Sequence, residues 1–93
     1  MTVTPLDRTC TLSDLMSRGA LRPGQVLTWD RPRRGERHRA LVMPDAALLL
    51  FDGSVHRSPS GAARHLVRRP EDGWFAWALE DGRLLDDLRW ETR

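Results

Sequence analysis

The stretch that decides the fold runs from Ser58 to Trp77 and reads "SPSGAARHLVRRPEDGWFAW". Ser58 is a strong N-cap residue, and Pro59 is favoured at the first position of a helix. One apolar face then follows at helical spacing, formed by Ala62, Ala63, Leu66 and Val67. We therefore expect a helix that begins at Ser58 and ends at about Arg68.

After this helix, Pro70 and Gly73 indicate a turn, and "WFAWAL" from Trp74 to Leu79 indicates a strand. In a strand the side chains of Trp74 and Ala76 would point to one face and those of Phe75 and Trp77 to the other. The chain has four Trp. We expect at least two of them in the core, and an exposed Trp would be a candidate for stacking or for an interface.

The flanking segments predict an α+β fold. "TLSDLMSRG", which starts at Thr11, has a capping box and indicates a helix, and "RLLDDLRW", from Arg83, indicates a final helix. Between them, "VLTW", "RALVM", "ALLLF" and "SVHR" indicate strands, with a turn at Asp52-Gly53 and an arginine-rich loop centred on Gly35. We expect a small antiparallel sheet of three to five strands, packed with about three short helices. The chain would form one domain, 1–93, with a core over about 11–90.

Composition favours a folded cytoplasmic protein without a membrane partner. Hydrophobic residues make up 40% of the chain and charged residues 30%, which is ordinary for globular domains. The longest apolar run, Ala46 to Phe51, is far shorter than the roughly 20 residues of a membrane-spanning helix. The N-terminus "MTVTPLDRTC" has no features of a secretory signal. A single cysteine, Cys10, fits a reducing compartment.

Basic charge is concentrated in two segments. Every one of the 15 basic residues is Arg, which suits phosphate recognition but also results from a GC-rich genome. The first segment is the predicted loop, with Arg31, Arg33, Arg34, Arg37 and Arg39, and the second runs from His56 to Arg69. From Glu71 onward the chain is acidic. These segments either create a one-sided electrostatic field or are solvated loops.

Catalytic and cofactor-binding motifs are missing from the sequence. His38, His56 and His65 lack the spacing of a zinc site, and no glycine-rich phosphate loop is present. Cys10 lies where a helix begins, where a buried or capping role is more common than nucleophilic catalysis. The adjacent Asp86 and Asp87 would diverge on a helix. We expect neither an enzyme nor a bound metal or cofactor.

The start of the predicted helix at Ser58 is a candidate anion site. A helix N-terminus offers free N–H groups, and here the hydroxyls of Ser58 and Ser60 would add donors beside Arg57 and Arg64. Alternatively, Ser58 only caps the helix and Ser60 faces water.

The chain contains four short motifs in the order "LMSRGALRPGQVL", "SPSGAA", "DGWFAW" and "LLDDLR". In this order and spacing, from Leu12 to Arg89, the chain resembles the RAMA domain, the restriction-enzyme adenine methylase associated module. The resemblance implies a domain commonly appended to DNA adenine methyltransferases, restriction systems and some eukaryotic proteases. It also implies DNA binding, in some cases with a preference for N6-methyladenine.

Carried over by this resemblance, Ser58, Trp74 and Arg89 are candidate DNA contacts. Asp72 stands where the family has Asn. A carboxylate there repels phosphate, although it can accept a hydrogen bond from the amino group of cytosine or adenine.

Two functions follow from the sequence. The first is a non-catalytic module that binds double-stranded DNA through the arginine-rich loop and the Ser58 helix end. The second is a protein-interaction or self-associating module, which would dock through an exposed Trp and the acidic C-terminal part without binding nucleic acid.

Overall fold

Four α-helices and four β-strands follow one another along residues 10–90, the part of the chain that this computed structural model describes. The N-terminal stretch in which no secretory signal is expected lies almost wholly outside these residues. In chain order the elements are α1 Leu12–Ser17, β1 Val26–Arg31, β2 Glu36–Val42, β3 Leu48–Leu50, β4 Val55–His56, α2 Pro59–Val67, α3 Gly73–Ala76 and α4 Leu85–Trp90. The predicted α+β class is confirmed.

The strands form an antiparallel meander in the spatial order β1-β2-β3-β4. Every second residue along a strand points to the core, because successive side chains of a strand point to opposite faces of the sheet. The buried set consists of Leu27, Trp29, Ala40, Val42, Leu48 and Leu50. β2 is longer than β3, and β3 pairs only with the segment of β2 from Ala40 to Val42.

The arginine-rich segment is mostly strand, which corrects the expectation of a loop from Arg31 to Arg39. Arg31 ends β1 and pairs with Glu36, the first residue of β2. Between them lies only a 3-10 helix, Pro32–Arg34, closed by Gly35 in the left-handed conformation at φ 64°. Alternating polar and charged residues are compatible with a two-stranded hairpin that has one face in water, so their charge alone does not indicate a loop.

Both capped helices begin where the sequence predicts. In α1 the Thr11 hydroxyl accepts from the Asp14 N–H, and the Asp14 carboxylate accepts from the Thr11 N–H at 2.8 Å. In α2 the Ser58 hydroxyl accepts from the Gly61 N–H at 3.0 Å, and Pro59 occupies the first helical position. The final helix, α4, is also confirmed.

The predicted strand from Trp74 to Leu79 is wrong. Its first half is the short helix α3, which Asp72 caps by accepting from the Trp74 N–H at 3.0 Å. Within this segment only Ala78 forms β-bridges, one to Thr28 and one to Leu84. A short apolar run does not distinguish a strand from a buried helical turn, and the Asp72 cap selects the turn.

α3 packs directly against the first turn of α2. The Gly73 N–H donates to the Ser60 hydroxyl at 2.9 Å, and the Trp77 indole N–H donates to the Pro59 carbonyl at 3.1 Å. A Cβ atom added to Gly73 would overlap the backbone of Pro59 and Ser60. The approach of the two helices therefore requires glycine at this position.

Two of the four Trp side chains lie in the core, as predicted. Trp77 is fully buried and meets Trp29 edge-on, with 5.8 Å between ring centroids. Trp74 is half-buried, and Trp90 is half-exposed. Because α3 is helical, Trp77 turns inward while Phe75 points to solvent.

Gly73→Ala should destabilise the fold severely. The new methyl group meets backbone atoms that cannot rotate away, so we expect a loss of about 3 kcal/mol or more, which is the upper end for overpacking. At about 4–8 °C per kcal/mol for a domain of this size, thermal unfolding followed by circular dichroism detects this loss.

Gly61→Ala is the matched control for this variant. Its Cβ meets only the Ser58 hydroxyl oxygen, at 3.0 Å, and alanine favours a helix interior over glycine. Equal stability of the two variants would contradict the described packing.

Candidate nucleic-acid interface

The hairpin of β1 and β2 carries most of the predicted arginine contacts. Arg37 and Arg39 project from β2 on the face of the sheet opposite the core, and both are exposed. Arg33 and Arg34 lie at the hairpin turn and are also exposed. Four guanidinium groups therefore extend from the turn along one strand.

Carboxylates neutralise two arginines of this hairpin. The Arg37 Nε donates a hydrogen bond to Oδ1 of Asp30 on the opposite strand, at a distance of 2.7 Å. This hydrogen bond raises the pKa of Arg37. Arg31 turns to the other face, where it pairs with Glu36 at 3.0 Å and stacks on Trp29 at 5.2 Å.

Glu36 also accepts from a histidine. The His38 imidazole lies 3.1 Å from its carboxylate, and that hydrogen bond, with the Arg31 charge, lowers the pKa of Glu36 despite some desolvation. In the described part of the chain, Arg33, Arg34 and Arg39 have no acidic partner. These three positive charges are available to an external anion.

The second basic segment is spread over α2 and its flanks. Arg57 is exposed and lies 3.5 Å from the Asp45 carboxylate. Arg64, Arg68 and Arg69 are exposed, and no carboxylate between residues 10 and 90 forms an ion pair with them.

The two predicted serine contacts are used inside the protein. Ser58 caps α2, as the alternative interpretation held, but Ser60 is half-buried and accepts from Gly73 instead of facing water. Gly73 also lies against the Ser60 backbone nitrogen. This end of α2 is thus covered by α3, and a phosphate contact there stays a prediction.

The remaining predicted contacts also make internal interactions. Asp72 caps α3, and Arg89 stacks on the Trp74 ring at 4.4 Å. The Arg89 Nε donates to Asp86 at 3.1 Å, and the Arg89 side chain is only 14% exposed. Arg89 is therefore paired and largely covered, and DNA contacts by these residues stay predictions.

An open groove is lined by arginines of the hairpin and by one residue of α2. It has a volume of about 340 Å³, and Arg37, Arg39 and Leu66 are among its lining residues. Leu66 lies eight residues after Ser58, roughly 12 Å along the helix at 1.5 Å per residue. The α2 residue at this groove therefore lies in the C-terminal half of the helix and not at its capped start.

A comparison with protein families places the chain. A family model described as "Restriction Enzyme Adenine Methylase Associated", RAMA, matches residues 2–93. The chain belongs to the RAMA family. No curated protein matches it. The family name links RAMA to adenine methylases of restriction systems.

A polar cluster beside the groove of this RAMA chain was not predicted from the sequence. Asp52 accepts from the Ser54 hydroxyl at 2.6 Å and lies 2.7 Å from the His65 imidazole. His56 lies 2.9 Å from the Ser54 hydroxyl, and its ring centroid is 4.8 Å from that of His65. The alternation of Asp52, Ser54 and His56 in a tight hairpin was the available signal, but His65 comes from α2.

The cluster shifts two pKa values. Hydrogen bonds from Ser54 and then His65 hold the pKa of Asp52 far below its usual range. Burial, and secondarily the charge of His65, lowers the pKa of His56, while Asp52 partly offsets this. The cluster joins the β3–β4 turn to α2.

The cysteine and the paired carboxylates that the sequence analysis considered for catalysis make contacts inside the RAMA domain. Cys10 is buried, and its sulfur accepts from Arg18 at 3.4 Å. Asp86 pairs with Arg89, whereas Asp87 accepts from the Leu84 N–H at 2.9 Å. Among residues 10–90, no three His, Cys, Asp or Glu side chains are grouped to hold a metal ion. No helix in that range is long and apolar enough to cross a membrane.

The stability of this RAMA domain should fall as the pH is lowered from 7.5 to 5.5. The folded pKa of His56 lies below its unfolded value of about 6.5, so the unfolded chain binds more protons and is favoured on acidification. Asp52 adds a further loss below about pH 4, because its folded pKa is also depressed. Urea unfolding at each pH measures the effect.

His56→Gln should flatten this pH dependence between 7.5 and 5.5, because glutamine does not titrate. An unchanged slope in the variant would show that the stability does not depend on the titration of His56.

Proposed function

We propose that this chain is a non-catalytic module that binds double-stranded DNA in a restriction-modification system. The family description supplies the link to adenine methylases. The observation that carries the proposal is the set of three arginines on one hairpin, Arg33, Arg34 and Arg39, that have no acidic partner among the described residues. Guanidinium groups bind phosphate oxygens bidentately and remain charged at any physiological pH.

The shape of the hairpin supports contact with a groove of DNA. β3 pairs with β2 only from Ala40 onward, so the stretch from Trp29 to His38 is a two-stranded ribbon that extends past β3. The major groove of B-DNA accommodates such a ribbon. Arg33 and Arg34 at the turn would then bind the phosphates on either side, while Arg39 lies nearer the sheet.

The motif residues have an indirect role in this proposal. Ser58, Ser60 and Asp72 hold α2 and α3 in place, and Arg89 packs on Trp74. Arg64 on α2 is exposed and has no ion pair with a described residue, and Arg57 lies beside Asp45, so of these two Arg64 is the one with an unpaired charge. Recognition of N6-methyladenine is the finer part of the proposal, since the modified amino group is displayed in the major groove.

Arg33→Ala combined with Arg34→Ala should weaken binding to duplex DNA. We expect the wild-type chain to bind with a Kd of about 1 μM or tighter at low salt, and the double variant about tenfold or more weakly. Because each phosphate contact contributes about 0.9 to the slope of log K against log salt, the slope should fall by about 2. Fluorescence anisotropy at several salt concentrations, with unmethylated and adenine-methylated duplexes, measures both quantities.

Arg22→Ala is the control, because Arg22 is exposed in the turn before β1 and has no ion pair with a described residue. Absence of wild-type binding to either duplex at low salt would refute the proposed function. A preference for the methylated duplex would support the finer part.

A second candidate, self-association, is favoured by an apolar row on the solvent face of the sheet. Val26, Leu41, Leu49 and Val55 lie side by side across the four strands. Val26 and Val55 are exposed, and Leu41 and Leu49 are half-buried. A second copy of the chain would bury these side chains against its own row.

Leu49→Glu should abolish such a dimer, because it places a charge at the centre of the apolar row. Light scattering after size exclusion at increasing protein concentration tests it. A wild-type chain that stays monomeric at 1 mM, roughly the weak limit of specific association, would exclude this candidate.

A further inference from the structure

The groove that is lined by hairpin arginines and by Leu66 of α2 also exposes an aromatic ring that is not packed in the core. Phe51 follows β3 directly, and 89% of its side chain is exposed. It lines the groove together with Leu50, Leu66 and the two strand arginines, Arg37 and Arg39. A phenylalanine this exposed adds almost nothing to the hydrophobic stabilisation of the core.

The groove exists because the strands differ in length. β2 continues for four residues, Glu36 to Arg39, before the segment that β3 covers. Phe51 follows the last residue of β3 and lies in a turn. The segment from Arg37 to Arg39 and Phe51 both line the groove, and Leu50 and Leu66 add apolar lining.

The charges around the groove favour an anionic ligand with a flat apolar part. Arg39 has no acidic partner within residues 10–90, whereas Arg37 is held by Asp30. Asp52 also lines the groove, but its oxygens already accept hydrogen bonds from Ser54 and His65. Arg39 and Phe51 line the same groove, and an unpaired guanidinium together with an exposed aromatic ring matches the two parts of a nucleotide, its phosphate and its base.

We propose that this groove binds a single unpaired base of a DNA strand, stacked on the Phe51 ring, with Arg39 on the adjoining phosphate. A base that is paired and stacked inside a duplex cannot stack on the Phe51 ring, so the ligand is single-stranded or locally opened DNA. This inference rests on the proposed function and adds the form of the strand to it. The volume of about 340 Å³ lies within the range of small-ligand sites.

The experiment compares one oligonucleotide of twelve thymidines with a duplex of mixed sequence, using anisotropy on the wild-type chain and on Phe51→Ala. Stacking on an aromatic side chain makes the alanine variant about 5- to 150-fold weaker for the single strand. Binding to the duplex through Arg33 and Arg34 stays unchanged. Because Phe51 is exposed, circular dichroism should show the same melting temperature for both proteins.

Phe75→Ala is the matched control, since Phe75 is the other phenylalanine and is 57% exposed on α3, outside the groove. Phe51→Trp keeps a stacking ring and should retain the single-strand affinity. Loss of single-strand binding in Phe51→Ala alone supports the proposal.

Single-strand binding that is equal in Phe51→Ala and wild type overturns the inference, and would assign the groove to a protein segment. Duplex binding in that case would leave the proposed function standing. Absence of binding to both oligonucleotides would reject the function and the inference together.

Discussion

The contact between α3 and the first turn of α2 is the constraint on which the rest of the structure depends. Gly73 lies so close to the Pro59 backbone that no side chain fits, and this approach places the Trp77 indole in the core. Burying about 200 Å² of indole contributes about 5 kcal/mol. The hydrogen bonds from the Trp77 indole to Pro59 and from the Gly73 N–H to Ser60 contribute about 1 kcal/mol each. Burial therefore provides most of the stability, and the hydrogen bonds set the geometry.

This constraint explains why the distinctive residues of the chain are concentrated between Ser58 and Trp77. The serines, the glycine and the inner tryptophan form one packing unit, and Trp77 extends it to the sheet by meeting Trp29. Ser58 and Ser60 already accept hydrogen bonds inside this unit. Three arginines without an acidic partner among residues 10–90, Arg33, Arg34 and Arg39, lie on the β1–β2 hairpin, which the packing unit supports through Trp29.

Most of the fold could be predicted from the sequence, because its signals are local. Thr11 and Asp14 form a capping box, and Ser58-Pro59 starts a helix. Asp52-Gly53 closes a hairpin. The prediction of a strand from Trp74 was wrong for a reason that is also local. Asp72 caps a helical turn there, and a pattern of apolar residues does not reveal this cap. The role of Gly73 depends on a neighbour in a different helix, which no local signal records.

The candidate site could be predicted only in part. The arginines of the hairpin were identified from charge, but their pairing with Asp30 and Glu36 depends on strand register. Phe51 was assigned to a strand, and its exposure follows from the short length of β3. The groove it lines, and the contact of His65 with Asp52, depend on the packing of α2 against β3 and β4.

Hydrogen exchange of the indole N–H groups tests the central packing most directly. The Trp77 indole N–H, buried against Pro59, should exchange only through global unfolding, with a free energy equal to that of urea unfolding. The Trp90 indole, half-exposed on α4, provides the fast reference within the same molecule. Exchange of Trp77 as fast as that of Trp90 would contradict the account, because α3 would then not be held against α2.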